Sequence, residues 1–170
     1  GKRYDEIRRT IKKARTYFNR SLIMREIKFR GKSTTYKKWK YGTPVNLEQG
    51  IIIIEERGVF NDGSASPFFS KWDFVMSDSI GQYTGLKDKN EKEIYEGDLI
   101  KAPSGRIYSV IFSTWKHEEK RKFPKVIDLY EHTGWCISLD GVNPYDLLDS
   151  EICQGCIIGN VFDNPEFLKE

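Results

Sequence analysis

No part of the sequence is apolar over anything near the roughly 20 residues that a helical membrane crossing requires. The longest apolar cluster, Ile51 to Ile54, is strand-sized and runs directly into Glu55 and Glu56. Cysteine is scarce too: three residues, scattered except for one close pair, give no disulfide framework and suit a reducing compartment. No repeat of 20 to 50 residues is visible, which excludes a solenoid. The N-terminal stretch lacks both a continuous apolar segment and a small-residue cleavage motif, so it does not read as a secretory signal, and a cytoplasmic location is expected.

What is present is an ordinary globular balance with an aromatic excess. Hydrophobic residues make up 38%, charged residues 31% and aromatics 14% of 170 residues. A chain of that size buries roughly 70% of its unfolded surface, enough for one cooperative core, and the aromatic share favours strands over a helical bundle. Net charge is +3 overall but +6 over residues 1 to 23, hence −3 over the rest. Any binding to a polyanion therefore starts at the N-terminus.

Within that basic stretch, Ile7, Ile11, Ala14, Phe18 and Leu22 fall four, three, four and four residues apart, which is one stripe of an α-helix. Asp5 and Glu6 stand in its first turn, where carboxylates complement the helix dipole. A leading basic amphipathic helix over 1–23 is expected. From Met24 the period changes to two: Arg25 to Arg30 and Tyr36 to Tyr41 read as two strands joined by a polar turn, with a third strand at Gly50 to Glu56. Asn61 to Pro67 reads as a loop before another strand at Trp72 to Met76. Further on, Asp98 to Lys101 and Arg106 to Phe112 flank a Pro103-Ser104-Gly105 turn, and Trp135 to Leu139 and Ile157 to Phe162 supply more strands. Short strands with tight turns suit a small barrel, which removes exposed edges. Pro144 to Leu148 reads as a helical turn, and Asn164-Pro165-Glu166 has the order of a helix N-cap, a first-turn Pro and an early carboxylate.

Three segments together resemble a known family. Met24-Arg25-Glu26-Ile27-Lys28-Phe29-Arg30-Gly31-Lys32 followed by Trp39-Lys40-Tyr41-Gly42 looks like the opening of the YopX family, small proteins encoded by phages and prophages of Gram-positive bacteria. Ile80 to Asn90 and on through Ile94-Tyr95-Glu96-Gly97-Asp98-Leu99-Ile100 is similar to that family's central signature, and Ile158 to Phe162 to its close. The resemblance spans about residues 24–168 and leaves the leading helix outside. It implies SH3-like β-barrel architecture and carries over no catalytic residue. One departure stands in the signature: Asn90 is followed by Glu91 where the family's turn often has glycine, so that turn is expected to be rearranged or lengthened.

Candidate chemistry is sparse. Cys153 and Cys156 have the spacing of a metal knuckle, and with His132 and Cys136 they make a set of three sulfurs and one imidazole that zinc accepts. The pair opens an apolar strand, however, and no second close pair exists, so buried apolar cysteine is the preferred reading and no metal is assigned. His117 lies in the charged run Lys116 to Lys122, and Gly81, Gly85 and Gly97 form no phosphate loop. For nucleic acid the candidates are Arg8, Arg9, Lys12, Lys13 and Arg15 of the leading helix, with Tyr36, Trp39, Tyr41 and Trp72 as stacking aromatics.

The expectation is thus a mainly β protein: a basic helix over 1–23, a smaller strand-rich part over 24–79, and an SH3-like barrel over 80–170 ending in a short helix. Its expected role is that of a phage or prophage accessory protein, a non-enzymatic binding module without cofactor, acting in the host cytoplasm on a host or phage protein. The alternative is nucleic-acid binding through the helix. A membrane partner is excluded, and the helix's apolar stripe leaves homo-oligomerisation open.

Overall fold

The computed structural model describes residues 26–59, 67–121 and 126–168. The expected helix over 1–23, with Arg8, Arg9, Lys12, Lys13 and Arg15, and most of the loop at 61–67 lie outside the described residues. Those residues hold eleven strands in two antiparallel sheets and no α-helix. Mainly β is therefore correct.

The first sheet is built from β1 (Phe29–Lys32), β2 (Trp39–Leu47), β3 (Gly50–Val59), β4 (Pro67–Val75), β5 (Gly81–Lys87) and β6 (Glu93–Tyr95), in the order β4-β3-β2-β1-β5-β6. The β1–β2 turn is closed by Ser33, whose Oγ accepts from the backbone N–H groups of Thr35 and Tyr36 at 3.2 and 2.9 Å. In β3, Ile52, Ile53 and Ile54 are all buried although neighbours point to opposite faces, so this run is covered on both sides. The sheet curls: Val75 bridges Ser33, and Met76 N–H donates to Lys32 O at 2.9 Å. Gly31 permits that approach, since an added Cβ would stand 2.9 Å from a Val75 methyl.

The second sheet comprises β7 (Asp98–Lys101), β8 (Ile107–Arg121), β9 (Val126–Ser138), β10 (Pro144–Leu147) and β11 (Cys156–Asn160), in the order β10-β9-β8-β7-β11. Ile100, Ala102, Tyr108, Val110, Ile137, Leu148 and Cys153 form its core, joined by Ile94 from β6 of the other sheet.

Four readings change. The pairing does not support an SH3-like barrel over 80–170: β5 and β6 hydrogen-bond into the first sheet, and β10 and β11 remain at opposite edges of an open second sheet. Pro144 to Leu148, read as a helical turn, is instead mostly β10. Asp140 accepts from the N–H groups of Val142 and Asn143 and ends β9, so the chain folds back and pairs, with Pro144 tolerated at the start of an edge strand. The charged run Lys116 to Arg121 is strand, paired rung by rung with β9 out to Arg121 opposite Val126. At the C-terminus the expected short helix is a 3₁₀ turn, Pro165–Leu168.

Candidate functional site

Lys28, Arg30 and Lys32 alternate along β1 and its lead-in, so their side chains leave the sheet on one side. Each meets a carboxylate from farther along the chain. Lys28 pairs with Glu93 of β6 at 2.7 Å, Arg30 with Asp98 of β7 at 2.6 Å, and Lys32 with Asp163 beyond β11. The last two pairs tie the first sheet to the second.

The central pair is nearly dry, with side chains 8% and 2% exposed. The Arg30 guanidinium lies 4.7 Å from the Trp39 ring centre and 5.1 Å from that of Tyr95, a stacked arrangement that its planar, weakly hydrated cation favours. Its Nη2 donates to Glu96 O at 3.2 Å, and Asp98 accepts a second bond from Tyr95 N–H at 2.8 Å. Asp163 also accepts from Trp39 Nε1 at 2.9 Å and from Asn160 at 3.0 Å.

Beside this network lies a cleft of about 190 Å³. Arg30, Trp39 and Ser79 line one wall, Asn160 and Phe162 another, and Asp78 and Glu96 also border it. Two glycines let the walls approach. Gly81 lies opposite Arg30 in the ladder, and a Cβ there would stand 2.4 Å from Glu96 O. Gly97 has φ +80°, donates its N–H to Val110 O and accepts from Val161 N–H, both at 2.8 Å. A residue with a Cβ pays for that conformation, so glycine suits the junction between β6 and β7.

Electrostatics follow from these contacts. Burial pushes the Asp98 carboxyl up, while Arg30 and the Tyr95 N–H pull it back down. Burial would also raise Asp163, but its bonds from Asn160, Lys32 and Trp39 outweigh that and hold it at about 2. Lys28 lowers Glu93, and burial together with the Glu93 acceptor raises the Tyr95 hydroxyl. Asp88 adds a second tether. Burial opposes its charge, yet N–H groups of Ile157, Lys92 and Asn90 keep it low, and the Ile157 bond of 3.0 Å joins the β5–β6 turn to β11.

The charges of Arg30, Lys32, Asp98 and Asp163 are thus committed to one another.

The metal candidates fall elsewhere. Cys153 is in the core of the second sheet, and Cys156 begins β11. Cys136 is buried on β9 with its thiol toward Ser113 O, and His132 lies farther out on β9, stacked on Trp115 at 6.2 Å. Burial pushes the Cys136 and Cys153 thiols up, away from the thiolate form that binds metal. Among the described residues no group of three or more His, Cys, Asp and Glu side chains is placed to hold a metal ion, and no helix is long and apolar enough to cross a membrane. Of the candidate aromatics, Trp39 alone borders the cleft, while Tyr36, Tyr41 and Trp72 are largely exposed on the first sheet and its turn.

Sequence reasoning passed over Arg30 and Asp163 and weighed Asp98 only with Glu96, as an acidic pair for a metal or acid–base role against strand-edge solubility. The period-two cations at 28, 30 and 32 were the available signal, but alternation alone reads as a solvent face.

Residues 28–169 match the family model described as YopX protein. Among solved structures, a crystal structure of protein EF1440 from Enterococcus faecalis is similar at 22% identity, over 86% of this chain and 100% of that one, with a TM-score of 0.49. No curated protein matches the sequence.

Proposed function

The chain belongs to the YopX family, and from that premise we propose that it is a phage or prophage accessory protein acting in the host cytoplasm as a non-enzymatic binding module. The observation that carries the reading is the state of the cleft's charges. Arg30 is committed to Asp98, and the rest of the wall offers the Trp39 and Phe162 rings beside the polar groups of Ser79 and Asn160, with the carboxylates of Asp78 and Glu96 at the border. The partner is a host or phage protein that places a polar side chain or chain terminus in the cleft beside the Trp39 and Phe162 rings, which pack edge-on at 6.2 Å.

The test uses tagged full-length protein as bait in infected cells, with and without nuclease. Asp78 is exposed at the rim, so Asp78→Lys leaves the fold intact. Wild type should retain a specific protein after nuclease treatment, and Asp78→Lys should lose it. Equal retention by both would overturn the cleft as the site.

A second reading rests on the surplus of six cations over residues 1 to 23. If these contact phosphates, neutralising Arg8, Arg9, Lys12, Lys13 and Arg15 should flatten the slope of log affinity against log salt by roughly 3 to 5. Absence of salt-dependent binding by wild type to duplex or single strands at low ionic strength would dismiss it.

A further inference from the structure

Three consecutive isoleucines of β3 are buried, Ile52 at 4%, Ile53 at 0% and Ile54 at 3% exposure, and consecutive residues of a strand point to opposite faces. Both faces of β3 are therefore covered. One cover is in view: Ile53 shares its face with Pro44, Asp73 and, two residues on, Val75, and β1 curls over that face, with Ser33 bridged to Val75 and Gly31 close against the Val75 side chain. On the other face the cross-strand rows are Thr43, Ile54 and Trp72, then Val45, Ile52 and Phe74. These neighbours flank the two isoleucines within the sheet and do not lie over them. Neither isoleucine joins the core of the second sheet, and no described element other than β1, β2 and β4 runs close along β3. The cover has to come from outside the described residues.

The point where the chain leaves the described residues selects the segment. Glu26 is the first of them, and with Ile27 it borders a recess of about 330 Å³ shared with Tyr41, Thr43, Ile54 and Glu55. The lead-in to β1 thus starts at the margin of the face that lacks a cover. The two other segments join the described chain elsewhere: 60–66 continue beyond Val59 at the far end of β3, and 122–125 connect the outer ends of β8 and β9.

Residues 1–23 carry a surface that fits. Ile7, Ile11, Ala14, Phe18 and Leu22 form a stripe roughly 22 Å long at 1.5 Å per helical residue, which lies within the roughly 30 Å length of the ten residues of β3. At 3.6 residues per turn, Arg8 and Arg15 flank that stripe and Arg9, Lys13 and Arg20 fall opposite it. Charge favours the same seat, because the segment carries +6 against −3 on the rest of the chain, and Glu26 and Glu55 stand at the recess. Only Met24 and Arg25 separate the segment from Glu26, so docking within one chain avoids the entropy of association that a second copy would have to overcome. We propose that residues 1–23 dock as a helix on the outer face of β2, β3 and β4 of their own chain, with the apolar stripe over Ile52 and Ile54 and the basic side outward.

Photocrosslinking of the full chain tests it. Protein with benzoylphenylalanine in place of Phe18 is irradiated as an equal mixture of unlabelled and 15N-labelled chains, and the products are read by mass spectrometry. The expected crosslinks reach residues 52–54 or 72–74 and join peptides of the same isotope. Crosslinks between the two isotopes place the segment on another copy and overturn the proposal, as do crosslinks confined to other strands or none at all. Two further variants of the full chain give an independent reading. Phe18→Ser should lower the thermal midpoint by about 5 °C and speed amide exchange at Ile52 and Ile54, whereas Lys13→Ser should change neither. Equal effects of the two substitutions would overturn it as well.

Discussion

β1 and the outer β8–β9 ribbon both alternate charged residues along a strand, with opposite consequences. In β1 and its lead-in, Lys28, Arg30 and Lys32 are each matched by a distant acid, and the Arg30–Asp98 pair is buried between the sheets. On the ribbon, Lys116 is matched by Glu131 directly across the ladder, and both remain more than half exposed. Short-range charge pairing in water contributes little, whereas a dry pair makes each partner indispensable to the other. The same local pattern is thus a clasp in one place and a solvated surface in the other.

The largest effect should come from breaking the clasp. Asp98→Ala strands the Arg30 guanidinium without its counter-ion and should cost about 3 to 5 kcal/mol in urea unfolding. A loss under about 1 kcal/mol would show that the pair is incidental.

Acid should dissolve the junction before the ribbon. Asp88, Glu93 and Asp163 are held below their ordinary values, so they stabilise the fold above their unfolded pKa near 4, and that contribution disappears as pH falls through the folded values, about 2 for Asp163. Asp98 is raised and acts in the opposite sense, but it is one group against three. Between about pH 4 and 2, Asp163 alone should remove roughly 1 to 2 kcal/mol, and Asp163→Asn should shed that share of the pH dependence. An identical profile in the variant would assign the acid sensitivity elsewhere.

A smaller gain is expected at the β5–β6 turn. Glu91 has φ +62°, taking the left-handed conformation itself within the turn Asp88 to Lys92. Its exposed pairing with Lys87 at 3.2 Å is worth little. Glu91→Gly should therefore stabilise by up to about 1 kcal/mol, seen as a higher thermal midpoint; a lower midpoint would show that the side chain matters more than the backbone. The smallest effect belongs to the ribbon. Lys116→Ala should change monomer stability by no more than about 0.5 kcal/mol, and a larger loss would erase the contrast with β1.

Much of the ladder was legible in advance. β1, β2, the β7–β8 hairpin, the inner end of β9 and β11 carry period-two patterns next to turn residues, β3 a continuous apolar run, and local chemistry suffices for those. β5 was harder: Gly81 and Gly85 interrupt the pattern, and its partner β1 lies some fifty residues upstream. The cleft was invisible because its parts sit at 30, 39, 79, 97 and 160, and no local period links them.

By itself the sequence determined the β class, the family and most strand positions, because these depend on residue type and near-neighbour spacing. Only the tertiary structure decided the rest. That Lys28, Arg30 and Lys32 face carboxylates and not water, that Pro144 starts a strand, that the second sheet stays open and that the charged run at 116–121 is a projecting strand all depend on which surfaces meet. Burial and charge pairing are properties of two distant segments at once, and neither segment carries the information alone.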